Sequence, residues 1–244
     1  RKARPKNDAP FAQALRLERA EFDASAKTDP LQQGQAIERV VSDMESFVQN
    51  HPGTVAADSL SDRLLDLYRG FGERVAAMLA NEDSAAEAKK LRGTGEKMFE
   101  RAIESLKTER EEIQTKREEL SKKAEDPDPE LERRAMLVAY NLARAYYFHA
   151  QILDHDFLKN TRLKNALGVL ADIQLEFSDQ LLCYEGYIYE GLSLRDLGQP
   201  EEALVAFDYA IGLRDTYERG ANGLYMIAPD AADIVSSSVL QKMI

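Results

Sequence analysis

Cysteine is nearly absent from this chain of 244 residues, where Cys183 stands alone. A single thiol excludes an internal disulfide framework and a cysteine-based zinc cage. Its place at the start of an apolar helical stretch marks it as a small buried hydrophobe. Long apolar runs are missing too: nothing approaches the ~18–20 consecutive apolar residues that a bilayer-crossing helix needs, and no signal peptide is visible. Basic residues are in deficit, 32 Lys and Arg against 43 Asp and Glu, for a net charge of −11. That balance argues against nucleic acid as the main partner, because phosphate binding draws most of its affinity from Lys and Arg. It equally disfavours adsorption to anionic membranes. The one basic cluster, Arg1-Lys2-Ala3-Arg4-Pro5-Lys6, is short and reads as a flexible lead-in over residues 1–8.

Catalytic groups are sparse as well. The three histidines, His51, His149 and His155, lack the i,i+4 spacing that turns two imidazoles toward one metal. His155 lies between Asp154 and Asp156, but adjacent residues point in different directions, and a surface loop accounts for the run. Gly93-Thr94-Gly95 sits inside helical sequence without the flanking strand of a phosphate-binding loop. No nucleophile elbow or paired-carboxylate motif occurs. The expectation is a chain with no catalytic residue, no metal site and no cofactor.

What the chain does have is helical periodicity. Apolar residues make up 44%, enough for a core and too many for wholesale disorder. The 13 Gly and 8 Pro fall mostly between periodic stretches, so the fold class expected is all-α. A first helix is expected from Ala9 to Ala26, with Phe11, Leu15 and Phe22 as its apolar stripe. Asp29-Pro30 starts a second that carries Ile37, Val40, Val41, Met44, Phe47 and Val48 and stops at Asn50-His51-Pro52-Gly53-Thr54. A third spans Val55 to Ala80. Ser84 to Glu87 reads as a capping box opening a long helix to about Ala124, with Gly93 and Gly95 as bending points.

Beyond Ser105 that long helix turns highly charged. Glu112/Lys116, Glu118/Lys122 and Glu119/Lys123 are i,i+4 pairs worth ~0.2–0.5 kcal/mol each. Phe99, Leu106, Ile113 and Leu120 recur every seventh residue as one thin apolar seam. The seam fits a solvated helix resting one edge on a neighbour; a dimerising α-hairpin needs a wider one. Glu125-Asp126-Pro127-Asp128-Pro129 breaks the helix, and Asp128 caps the next with Pro129 in its first turn, to about Leu153. A loop is expected over His155–Asn160, helices over Thr161–Phe177 and Tyr184–Leu197, and a turn at Gly198-Gln199-Pro200. A helix over Glu201–Leu213, a loop over Gly220–Ala228 and a further helix over Pro229–Ile244 complete the chain.

The clearest unit runs from Tyr184 to Tyr217. Gly191 and Ala203 are small where two helices approach, Tyr187, Leu194 and Phe207 fill the space around them, and Ala210 leaves room for the next helix. Such a unit cannot bury both apolar faces alone. Tyr187, Gly191, Leu194, Gly198, Ala203, Phe207 and Ala210 match the signature positions of the tetratricopeptide repeat, which this segment closely resembles. The preceding pair is similar through Ala139, Leu142, Ala143 and Tyr146, then Ala166, Leu170 and Ile173. An earlier, weaker pair contains FVQNHPGTVAAD, similar to repeats of bacterial envelope proteins. The likeness spans about 150 residues and leaves Ala80–Glu130 without a repeat signature.

The resemblance implies an α-α superhelix of antiparallel helix pairs with one long charged helix or hairpin. Its parts would be one domain over 9–244: divergent repeats over 9–80, the long hairpin over 84–155, the clearest repeats over 161–217 and the start of another helix over 229–244. It also implies a concave groove lined by the first helix of each pair. Carried onto this chain, the groove positions are Tyr140, Asn141, Arg144, Tyr147 and Phe148, then Glu185, Ile188, Tyr189, Leu192 and Arg195. Aromatic and Arg side chains are the types that anchor interfaces, although the same residues also suit packing on an adjacent helix. Ile188 and Leu192 stand where some family members carry a carboxylate-holding Lys/Asn pair, which disfavours chaperone-tail recognition.

The function implied is a non-catalytic scaffold binding a peptide or protein, in a bacterial periplasm or envelope rather than the cytoplasm. The alternative is homo-oligomerisation through stacked repeats or the charged hairpin; a regulatory arm of an enzyme outside these residues is a third. The chain begins without Met and stops inside the amphipathic SSSVLQKMI, which suggests a piece of a longer protein with an N-terminal anchor and further repeats.

Overall fold

A computed structural model describes residues 8–81, 83–123, 126–178 and 181–216. The lead-in over 1–7, the loop expected at Gly220–Ala228 and the helix expected at Pro229–Ile244 lie outside the described residues. Within them every element is an α-helix and no strand forms. In chain order these are α1 (Asp8–Ser25), α2 (Pro30–Asn50), α3 (Val55–Ala80), α4 (Ala85–Lys122), α5 (Pro129–Ile152), α6 (Asp156–Glu176), α7 (Leu181–Asp196) and α8 (Pro200–Thr216). Contacts gather into two compact units, Arg1–Ala102 and Ile103–Ile244, with the boundary inside α4. The sequence had suggested a single domain over 9–244.

The helix starts follow their local chemistry. The Asp29 carboxylate accepts the Gln32 amide at 2.7 Å, with Pro30 in the first turn. The Thr54 hydroxyl oxygen accepts the Ala57 amide at 3.2 Å. Asp128 accepts the Glu130 amide at 3.0 Å, ahead of Pro129. Each side-chain acceptor satisfies an amide that has no partner within its helix, worth ~1 kcal/mol. Ser84 instead gives its hydroxyl proton to the Met78 carbonyl at 2.9 Å, closing the turn after α3 rather than taking part in the expected capping box.

In unit 1, α1, α2 and α3 pack on one another. Ile37, Val41, Met44, Phe47, Leu60 and Phe71 are almost fully buried, as the 3.6-residue spacing of α2 and α3 predicts. The first helix departs from expectation. Its stripe of Phe11, Leu15 and Phe22 is 63%, 50% and 73% exposed, while Ala14 and Ala24 are buried. The α1 backbone therefore meets its unit through small residues, and its large apolar side chains face outward.

In unit 2, sequential helices are neighbours: α5 packs on α6, α6 on α7 and α7 on α8, and α5 also touches α7. α5 lies at the centre, with Val138, Leu142, Tyr146 and Ile152 buried along it. The turn between α7 and α8 uses Gly198 at φ +77°, a left-handed conformation that only glycine adopts at little cost. A Cβ on Gly191 would lie 2.4 Å from a ring carbon of Phe207, so the small-against-large pairing expected here holds. Phe207 is 2% exposed, while Tyr187 is half-buried and stacks on Tyr209 at 5.1 Å between centroids. α6 begins at Asp156, so the expected loop over His155–Asn160 is mostly helix. Phe157 and Leu158 are exposed on its first turn, which hid the helical period there.

The charged half of α4 does not stand alone. Leu106 and Ile113 are buried, so that part of the seam is used within unit 2. The ion pairs formed by α4 reach other helices: Arg110 to Asp172 at 2.7 Å, and Arg117 to Glu132 and Glu176 at 2.9 Å each. Glu118 accepts from Gln114, a bond within the helix other than the Glu118/Lys122 pair expected. Gly93 and Gly95 lie inside unbroken α-helix.

Candidate functional site: the face of α5 and α7

Residues 140, 144, 147, 148 and 151 recur at i, i+4, i+7, i+8 and i+11 and share one face of α5. Residues 185, 188, 189, 192 and 196 do the same on α7. Because α5 touches α7, the two faces meet. The Tyr140 hydroxyl donates to the Glu185 carboxylate. Tyr189 sets its ring edge-on to Tyr140, Tyr147 and Phe148 at 6.0, 5.6 and 6.0 Å between centroids. Tyr147 and Phe148 meet edge-to-face at 5.2 Å. Edge-to-face pairs of this kind add ~0.5–1.5 kcal/mol to the burial of the rings.

Arg144 fills the space these rings enclose. Its guanidinium carbon lies 5.7 Å from the Tyr140 centroid, 5.9 Å from Phe148 and 5.6 Å from Tyr189. A cation held against three ring faces is a fixed, partly desolvated charge. At the α7 C-terminal end, Asp196 accepts from Gln151 at 2.7 Å and from Arg195 at 3.2 Å. On its other side α7 is fastened to α6, where Gln174 donates to Glu190 at 2.6 Å.

The electrostatics follow from burial. Desolvation, then the neighbouring Tyr189 and Glu185, raise the Tyr140 phenol far above its ordinary range. Desolvation followed by Asp196 does the same to Tyr147. Both phenols stay protonated donors at any physiological pH. Burial also raises the Glu190 carboxyl, opposed by the hydrogen bond from Gln174. Behind the face, His149 is 1% exposed; desolvation, then the Arg162 charge, lowers its pKa to about 4.

Of the sequence-predicted residues, Tyr140, Arg144, Tyr147, Phe148, Glu185 and Tyr189 are brought together. Asn141, Ile188, Leu192 and Arg195 lie on the same two helices, with no contact shown that joins them to this cluster. By exposure the ten fall in two layers. Tyr140, Tyr147 and Leu192 are buried, at 6%, 7% and 9% exposure, and form the support. Asn141, Arg144, Phe148, Glu185, Ile188 and Tyr189 are half-buried and Arg195 is exposed; these form the accessible layer. Sequence reasoning missed Gln151 and Asp196, which tie the two helices together. Their register, one or two turns beyond Tyr147 and Leu192 on the same faces, was the available signal.

Among the described residues no group of His, Cys, Asp and Glu is arranged to hold a metal ion, and no helix is long and apolar enough to cross a membrane. These faces belong to an all-α protein of helices packed in neighbouring pairs. Comparison with protein-family models, curated proteins and solved structures finds no match to this chain.

Proposed function

We propose that unit 2 is a tetratricopeptide-like stack whose α5/α7 face binds an extended peptide segment of a partner protein, without catalysing a reaction. The observation that carries this reading is Arg144 set among Tyr140, Phe148 and Tyr189. Rings fixed by one another lose little entropy when a partner covers them, and Tyr and Arg are over-represented at binding hot spots. Contacts between α5 and α7, across the intervening α6, fit the superhelical arrangement that the repeat likeness implies. Peptide grooves of helical solenoids arise from such stacking.

The test is selection from a displayed random-peptide library against the whole chain. Selected peptides should lose at least about tenfold in affinity for the double variant Phe148→Glu, Tyr189→Glu, because the variant places charge where a dry contact is needed. Unaltered binding by a variant with unchanged helical circular dichroism would refute the face. Failure of the library to yield any binder would count against peptide recognition.

Self-assembly is a second reading, favoured by the exposed Phe11, Leu15 and Phe22 stripe of α1. Exposed apolar stripes of this kind mark contact surfaces. Light scattering that shows a monomer at every concentration would eliminate it.

A further inference from the structure

A cleft of about 1100 Å³ opens in unit 2 where α4, α5 and α6 meet, as large as the roomier small-molecule sites. It exists because small residues face it: Ala135 and Ala139 from α5, and Gly168 from α6. A Cβ on Gly168 would have nothing within 4 Å. Leu142, Val169 and Ile173 supply an apolar floor.

The walls carry charge in register. Arg110 pairs with Asp172 and Arg117 with Glu176, so residue numbers rise together on α4 and α6 and the two helices run in the same direction. One step toward both N-termini, the α4 wall presents Lys107. On α6 the positions one and two turns before Asp172 are Gly168 and Lys164. The position that would pair with Lys107 is thus a glycine, Gly168, and the next turn of α6 brings another cation, Lys164, rather than a carboxylate. The Lys107 ammonium lies 6.0 Å from the Tyr146 centroid, and the Arg162 guanidinium carbon 5.9 Å from the same ring. Among the described residues no carboxylate lies within ion-pair distance of Lys107, Arg162 or Lys164. Glu111, one turn beyond Lys107, is an exposed acid on this wall. Lys107 and Arg162, held against one neutral ring, repel one another, Lys164 adds a further cation to the cleft wall, and an anion placed among them relieves that repulsion.

We propose that the cleft binds a small amphiphile with a single carboxylate. The carboxylate lies between Lys107 and Lys164 and completes the ladder. The apolar body crosses the space at Gly168 onto Leu142, Val169 and Ile173. One missing anion calls for one charge, and the floor beyond it is apolar. The Arg110–Asp172 and Arg117–Glu176 pairs strap the other end of the cleft, which leaves room for a short chain rather than a threaded polypeptide.

Isothermal titration of the whole chain with decanoate tests this, with decanol and inorganic phosphate as separate arms. Decanoate is expected to bind one per chain, with decanol and phosphate each at least about tenfold weaker. Lys107→Ala and Lys164→Ala should each weaken decanoate by about tenfold. Gly168→Asp, which builds a carboxylate into the empty rung, should abolish binding; Lys107→Glu does so without a change in α6. No decanoate binding, binding that ignores these substitutions, or phosphate binding as tight as decanoate would each overturn the proposal.

Discussion

Replacing Gly191 by Ala sets two effects of known size against each other. Alanine in a helix interior is favoured over glycine by ~1 kcal/mol. Here, however, the added carbon would lie 2.4, 2.6 and 2.7 Å from three atoms of the Phe207 ring. Ordinary contact begins near 3.4 Å, so the ring must retreat by about 1 Å. Phe207 is 2% exposed and has no space to retreat into. Overpacking of this kind costs ~1–3 kcal/mol, so the single substitution is expected to be neutral to destabilising by ~2 kcal/mol. A double-mutant cycle removes that overlap. With Phe207→Ala in place the ring is gone, and Gly191→Ala should then show the helical gain alone. The coupling between the two sites is predicted at ~1–3 kcal/mol. Gly168→Ala is the internal control, since its new carbon meets nothing and should stabilise by up to ~1 kcal/mol. Urea unfolding followed by far-ultraviolet circular dichroism suits a helical chain with no tryptophan. The transition read is the one that Phe207→Ala shifts. A cycle that closes to within ~0.5 kcal/mol would refute the close approach of α7 and α8.

Three further outcomes follow from the same geometry. Gly72→Ala places a carbon 2.5 Å from the Phe99 ring and should lower the urea midpoint of unit 1, despite the better helix propensity of alanine. Asp128→Ala removes the acceptor of the Glu130 amide and should cost ~1 kcal/mol, read as a lower melting temperature with little change in helical signal. His149 is held near pKa 4, below its ordinary 6.5, so the unfolded chain takes up this proton first as pH falls. Its contribution is complete above pH 6.5 and is lost between 6.5 and about 4, on the order of 3 kcal/mol. His149→Leu should flatten that part of the stability–pH curve, and an unchanged slope would contradict the burial argument.

Much of this architecture is legible in the residues. The breaks at Asp29-Pro30 and Asp128-Pro129 mark helix starts because a capping carboxylate followed by proline has few other uses. The Gly191/Phe207 pairing is legible because small and large residues at helical spacing imply close packing. The convergence of Tyr140 with Glu185 was also within reach, since a shared register predicts a shared face. Other features lie beyond single-helix periodicity. The Phe11, Leu15 and Phe22 stripe has the spacing of a core face, yet Ala14 and Ala24 make the contact; periodicity finds a stripe but not what lies against it. The Arg110–Asp172 and Arg117–Glu176 ladder joins residues about 60 positions apart, and no i,i+4 rule foresees it. The cleft was invisible because it is made by missing side-chain volume on separate helices.

Hydrogen–deuterium exchange of the whole chain, with and without a library-selected peptide, tests the binding face most directly. Added protection should concentrate in 140–148 of α5 and 185–195 of α7, and should vanish in the Phe148→Glu, Tyr189→Glu variant. Protection confined to other helices, with those two segments unchanged, would contradict the account.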